Sequence, residues 1–243
     1  EALKYRLSDS GARAVVYDVE NREKLDEIAP ELPDLEFRIQ VDNDVSGTEL
    51  GWADLLAKGS DVFETRKTLA EDPCWIIYTS GTTGNPKGVL YSHRSTVLHA
   101  MLSLSRDTFD IHSGATLLLV VPMFHANAWG TPYSAAMVGA KLVLPGPHLD
   151  GESVYELMRD ERVTIMQGVP TVWLMLFGYL DQHPEIDPSE LVLEWAGIGG
   201  SALSQSMLER IERDLGAEGG QGWGMTETSP ICVVGRLLPK HAG

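Results

Sequence analysis

The sequence predicts an α/β fold. Strand-like and helix-like segments alternate along most of its 243 residues. The connections are short, which favours a parallel sheet with helices packed on it. Three glycine-rich stretches each follow a strand or strand-like segment, where ligands bind in open α/β sheets.

From the amino end, residues 2–9 read as a helix and Ala12 to Tyr17 as a strand. Asn21 to Ile28 is a helix closed by Pro30 and Pro33, and Leu35 to Val41 a strand. Asp42 to Asp72 is polar and acidic, with a short helix at Gly51 to Lys58. Trp75 to Tyr78 and Val89 to Tyr91 are strands around a Gly/Thr loop, and Ser92 is the N-cap of a helix from His93 to about Arg106. Thr116 to Val121 is a strand, residues 127–138 a buried helix of small residues, and Lys141 to Leu144 a strand stopped by Pro145-Gly146-Pro147. Helices at Ser153 to Glu161, Thr171 to Asp181 and Ser204 to Leu215 alternate with strands at Thr164 to Gly168 and Leu191 to Ala196. Gln221 to Met225 is expected as a loop after a short or missing strand.

Composition narrows the function. With 19 Lys+Arg against 35 Asp+Glu the formal net charge is −16, which argues against nucleic acid as the main partner. A nucleotide needs only a local cradle and stays open. No apolar run approaches the roughly 18–20 residues of a membrane span, and no signal peptide is visible. Cys74 and Cys232 give neither a disulfide framework nor metal-ligand spacing, which fits buried reduced thiols in a cytoplasmic protein. The seven histidines form no zinc motif.

Tyr78-Thr79-Ser80-Gly81-Thr82-Thr83-Gly84-Asn85-Pro86-Lys87-Gly88 is the most informative segment. Clustered hydroxyls, glycines that let backbone N–H groups approach a ligand, and one lysine are the parts of an anion cradle. It is not a Walker A loop, because Lys87 follows a proline and no helix-opening Ser/Thr follows it. The loop is therefore expected to return as a hairpin. In Gly222-Trp223-Gly224-Met225-Thr226-Glu227-Thr228, an aromatic between glycines can stack on a flat base. The Thr-Glu pair behind it can offer a hydroxyl to a phosphate and a carboxylate to Mg²⁺.

These two segments, in this order, resemble the signatures of the adenylate-forming (AMP-binding) superfamily, and in particular its medium- and long-chain fatty-acid–CoA ligases. Two further segments extend the resemblance. Gly199-Gly200-Ser201-Ala202 is similar to the turn that lines the adenine pocket, and Val121 to Gly130 to the segment that lines the acyl pocket. Gly168 to Trp173 also matches, as packing at a strand-to-helix turn. The resemblance implies layered mixed sheets with flanking helices, the core of the family's large N-terminal domain. It also implies ATP-dependent formation of an acyl-adenylate from a fatty or related acid, followed by transfer to coenzyme A.

Carried over residue by residue, the resemblance puts Thr79, Ser80, Gly81, Thr82, Thr83, Gly84 and Lys87 on the phosphates. Gly200, Ser201, Ala202, Gln221 and Gly222 lie around adenine, and Trp223 stacks on it where the family more often has Tyr. Thr226 touches the α-phosphate, and Glu227 holds Mg²⁺ together with Thr79. His125 borders the reacting carboxylate, Ala126 lines the acid, and Trp129 gates its tunnel. Lys87, His125, Thr226 and Glu227 form the catalytic set. Ligases for short thioether acids such as 3-(methylthio)propionate share the segment around Trp129. A homodimer is compatible with the family.

The family's later features, a Thr-Gly-Asp segment and a small C-terminal domain with a lysine, are not found. Residues 1–243 are thus expected to be an AMP-binding domain truncated at both ends, weak or inactive alone. A non-catalytic nucleotide- or acyl-binding remnant is the alternative. Gly197 to Ala202 also fits the dinucleotide fingerprint G-x-G-x-x-A. A dehydrogenase is disfavoured because Glu218, the acid at the right distance, sits in glycine-rich sequence with no strand expected before it.

Overall fold

The computed structural model describes residues 1–41, 49–80 and 84–236. The chain divides into two compact units, one of Glu1–Leu69 with Tyr78–Leu90, the other of Ala70–Ile77 with Tyr91–Gly243.

The first unit contains α1 (Ala2–Asp9), β1 (Ala14–Tyr17), α2 (Arg22–Ile28), β2 (Phe37–Gln40), β3 (Leu50–Gly51) and α3 (Trp52–Lys58). The three strands lie in that order and run parallel, with α2 in the crossover from β1 to β2. Glu49, at the start of β3, has a buried carboxylate that pairs with Arg22 at 2.9 Å and Arg38 at 2.7 Å. Two guanidinium partners offset the desolvation of that charge, so α2, β2 and β3 are tied at one point.

β4 (Pro73–Thr79) and β5 (Lys87–Ser92) form a two-stranded sheet. The seven residues between them are too few for a parallel crossover, so the expected hairpin is present. Its outer part groups with the first unit and its inner part with the second. Ser92 closes a capping box with Ser95 at the start of α4 (His93–Ser103), as its sequence position predicts.

The second unit is built on a six-stranded sheet. It comprises β6 (Thr116–Leu118), α5 (Thr131–Val138), β7 (Lys141–Val143), α6 (Gly151–Asp160), β8 (Ile165–Gly168), α7 (Pro170–Gln182), β9 (Trp195–Ile198), α8 (Gln205–Arg210), β10 (Glu218–Gly224) and β11 (Ile231–Gly235). The strand order is β11-β10-β9-β8-β6-β7, parallel except for the β10–β11 pair. Alternation along the strands divides the core. Leu118, Met166 and Ile198 pack with α6 and α7 on one face, and Leu117, Ile165 and Trp195 with Ala135 and Phe109 on the other. Proline opens α7, and Val172, Trp173, Leu176, Phe177 and Leu180 form its buried stripe.

Several elements differ from the sequence reading, among them β3 and β11, which it did not contain, and β6, which ends at Leu118 rather than Val121. Residues 127–138 are not one helix: Ala126 to Trp129 have φ between +46° and +56°, a left-handed turn, and α5 begins only after Gly130. The small residues there serve a reversed turn, whose steric cost of about 1–2 kcal/mol per residue must be outweighed by packing. Gln221 to Met225 is not simply a loop, because Gln221 to Gly224 complete β10, paired with both β9 and β11. Glycine hides this strand from propensity, yet Gly220 is required: a Cβ there would lie 2.4 Å from the Trp195 ring. The strand expected at Leu191 to Ala196 pairs only over Trp195 to Ile198, while Leu191 and Leu193 still fill the core.

Candidate active site

The Gly/Thr loop belongs to the first unit. Thr79 is the last residue of β4 and Lys87 the first of β5. Ser80, Gly84 and Lys87 are exposed. The Lys87 ammonium makes no ion pair among the described residues. Gly84 has φ +85°, a conformation that suits glycine. Gly81, Thr82 and Thr83 lie outside the described residues. At the loop's base the Tyr78 hydroxyl donates to Asp9 Oδ2 at 2.6 Å. Burial, then the hydrogen bond to Asp9 and its charge, pushes that phenol up to about 12, so it remains a neutral donor.

The second unit gathers its candidates at the carboxyl ends of β9 and β10. These strands are parallel neighbours, Gln221 standing opposite Ile198, so the segments following each emerge side by side. Gly199-Gly200-Ser201-Ala202 follows β9, with Gly200 at φ +78° and exposed. Gln221 joins the two segments. Its side-chain oxygen accepts from Leu203 N at 3.3 Å and its amide donates to Ser201 O at 3.5 Å. Gly222 precedes Trp223, whose indole is 56% exposed, enough for a flat ligand to stack on it.

Thr226 and Glu227 lie in a 3₁₀ turn, Thr226–Thr228, held from two sides. Thr228 Oγ1 donates to Pro230 O at 2.6 Å and accepts from Met225 N at 3.0 Å. The Tyr91 hydroxyl donates to the Thr226 carbonyl. Burial, reinforced by the nearby Glu227 carboxylate, pushes the Tyr91 phenol up to about 12 and keeps it a donor. The Trp75 ring lies 4.0 Å from the Tyr91 ring and is fixed by its own N–H to Thr96 Oγ1 at 3.0 Å. Glu227 is exposed and has no cationic partner among the described residues.

The acid-side candidates border the left-handed turn. His125, exposed, directly precedes it, and Ala128 N donates to His125 O at 3.0 Å. Ala126 and Trp129 are buried, in a cluster with Leu119 and Val121. A buried histidine, His99, lies in α4. Its Nε2 accepts from Ile231 N at 3.4 Å, and burial pushes it down to about 4. Among the described residues there is no group of three or more His, Cys, Asp or Glu able to hold a metal ion. Magnesium needs no such group: one free carboxylate beside hydroxyls is a donor set it accepts, because water and phosphate oxygens complete its shell.

Sequence reasoning missed Tyr91, and also the buried pair Gln167 and Trp195. Its signal was weak, a lone aromatic just before a helix cap. Glu218 corrects one detail. It opens a strand where none was expected, and its carboxylate pairs with Arg236 through two 2.6 Å bonds. A carboxylate so engaged, at the start of its strand rather than the end, does not suit a ribose-binding acid.

The sequence pattern of the family described as AMP-binding enzyme matches residues 1–242. The chain belongs to that family. It is 41% identical over 247 residues to a medium-chain-fatty-acid–CoA ligase of Ectopseudomonas oleovorans, covering 99% of this chain and 45% of that protein. It is 38% identical over 248 residues to a 3-methylmercaptopropionyl-CoA ligase of Ruegeria pomeroyi, covering 99% of this chain and again 45% of the relative. The chain thus spans about half the length of the curated relatives it matches. The crystal structure of the anthranilate CoA ligase AuaEII with anthranoyl-AMP has the same fold, with a TM-score of 0.85 at 23% identity over 98% of this chain and 46% of that one. The mixed α/β architecture matches that of the N-terminal domains of adenylate-forming enzymes. Among the described residues no helix is long and apolar enough to cross a membrane.

Proposed function

We propose that residues 1–243 are part of the adenylation domain of an acid–thiol ligase, which activates a fatty or related carboxylic acid with ATP and passes the acyl group to coenzyme A. The observation that carries this reading is the arrangement beyond β9 and β10. An exposed indole, a turn tied down by Gln221, and a free carboxylate on a clamped 3₁₀ turn share one end of two parallel strands.

The substrate carboxylate is the nucleophile. It attacks the α-phosphorus of ATP, pyrophosphate leaves, and the acyl-adenylate is then cleaved by the coenzyme A thiol with loss of AMP. The protein supplies positioning and charge. Trp223 stacks on adenine, with Gly200, Ser201, Ala202, Gln221 and Gly222 around it, and Thr226 meets the α-phosphate. Thr79, Ser80, Gly81, Thr82, Thr83, Gly84 and Lys87 grip the phosphates. His125 orients the acid carboxylate, and Ala126 and Trp129 border its chain. Glu227 and Thr79 are the residues that would hold Mg²⁺, which would offset charge on the departing phosphates. The reaction runs in the cytoplasm, where Cys74, half-buried, and Cys232, exposed rather than buried as the sequence suggested, stay reduced.

A short thioether acid is the second reading, favoured by the likeness to the Ruegeria ligase. Acid-dependent pyrophosphate release by the full-length gene product, across octanoate, palmitate and 3-(methylthio)propionate, separates the two. Release with fatty acids alone supports the first, and release with the thioether acid alone supports the second.

A further inference from the structure

One face of the central sheet carries a polar side chain with no use in the fold. Gln167, in β8, is 5% exposed, and neither its amide oxygen nor its amide nitrogen has a hydrogen-bond partner among the described residues. Trp195, in β9, is 2% exposed, and its indole N–H is equally without a partner there. The two converge. Gln167 stands opposite Gly197 in the β8–β9 register. A β-carbon on Gly197 would lie 2.9 Å from Gln167 Cγ and 3.3 Å from the Trp195 nitrogen.

The Arg236 guanidinium lies over the Trp195 ring at 4.5 Å, and the remaining surroundings are mostly apolar. Gly197 and Gly199 leave their part of this face without side chains, and Trp129 covers Gly199. A cavity of about 10 Å³ adjoins Gln167, bounded by Leu119, Val121, Ala128, Thr131 and Ile165. It has room for about one small atom group. An unpaired buried amide is costly, and a leucine or methionine would fill the same place without that cost. A donor–acceptor amide and a second donor, both beside Gly197 and both without a partner among the described residues, suit the recognition of one oxygen atom.

We infer that Gln167 and Trp195 read an oxygen function in the chain of the bound acid, so that the preferred substrate is a hydroxy or oxo acid rather than a plain alkanoate. This rests on the ligase reading and specifies its substrate class. A hydroxyl accepts from the Trp195 N–H and donates to the Gln167 carbonyl. A ketone accepts from the indole and the amide together.

The test compares octanoate with its monohydroxy and mono-oxo isomers in acid-dependent pyrophosphate release by the full-length gene product, for wild type, Gln167→Met and Gln167→Leu. Wild type should favour one oxygenated isomer over octanoate by at least about 10-fold in kcat/KM, because a site built to hydrogen-bond a substrate penalises the analogue lacking the group. Gln167→Met should bring that ratio to near one while octanoate itself is still activated, which also reports an intact fold. The acid-free Gln167→Met protein should melt about 2–8 °C higher, since an unpaired amide has been removed. Octanoate preferred over every isomer by wild type, or a ratio unmoved in both variants, would overturn the inference and leave the ligase reading intact. An ordered water bridging Gln167 and Trp195 that persists in a crystal structure of the acid complex would overturn it too. Pyrophosphate release with no acid at all would remove both.

Discussion

The indole of Trp129 occupies the space above Gly199: its Cη2 atom lies 2.8 Å from where a β-carbon on that glycine would stand. The contact joins the left-handed turn to the end of β9, and so the acid-side residues to those proposed for adenine. Gly199→Ala should displace the ring and destabilise the protein by about 1–3 kcal/mol, the usual cost of overpacking. Trp129→Ala should broaden or shift the preferred acyl chain length. The pair should be non-additive, Trp129→Ala absorbing most of the Gly199→Ala penalty. A chain-length profile unchanged by Trp129→Ala would reduce that residue to core packing.

Glu227 carries charge and little structure. Being exposed, Glu227→Ala should leave the melting temperature within about 2 °C of wild type. Acid-dependent pyrophosphate release by the full-length protein should fall by at least about 100-fold. Near-normal release from this variant would sink the metal assignment.

Tyr91 acts through its neighbour, as a positioning residue. Removing its hydroxyl leaves the half-buried Thr226 carbonyl without that donor, so Tyr91→Phe should cost about 1–2 kcal/mol of stability. It should also lower kcat more than it raises the KM for ATP, because the Thr226–Thr228 turn is loosened without changing its chemistry. Equal effects on kcat and stability in Tyr91→Phe and in a distant core variant would mark a purely structural role.

His99 gives the fold an acid-sensitive point. Burial pushes it down to about 4 in the folded state, whereas the unfolded chain titrates near 6.5. Between these values the unfolded state binds more protons. The contribution is therefore complete above about pH 6.5 and lost as pH falls toward 4, roughly 3 kcal/mol in all. Urea midpoints measured from pH 7.5 to 4.5 should fall more steeply for wild type than for His99→Gln. Parallel curves would contradict the assignment.

What could be read from the chain follows from how each feature is encoded. The fold class, the hairpin around the Gly/Thr loop and the Ser92 cap rest on local rules of period, turn chemistry and capping, and all are present. β10 was hidden because its glycines are chosen by what presses on them: at Gly220 the Trp195 ring and Gly235 O stand within 2.5 Å of a would-be β-carbon. The left-handed turn at Ala126 to Trp129 was hidden for a related reason, since small residues read as helix unless tertiary packing forces the opposite hand. Trp223, Thr226 and Glu227 were legible as candidates from motif chemistry. Tyr91 and Gln167 were not, because their significance lies in a partner 135 residues away for one and in the lack of any partner among the described residues for the other.

The central claim is that these residues activate a carboxylate by adenylation. Isotope exchange between ATP and pyrophosphate, catalysed by the full-length protein, tests it most directly. Exchange should require a carboxylic acid, saturate with that acid and be abolished by Glu227→Ala. Exchange that proceeds equally without any acid, or fails with every fatty, hydroxy, oxo and thioether acid offered, would contradict it.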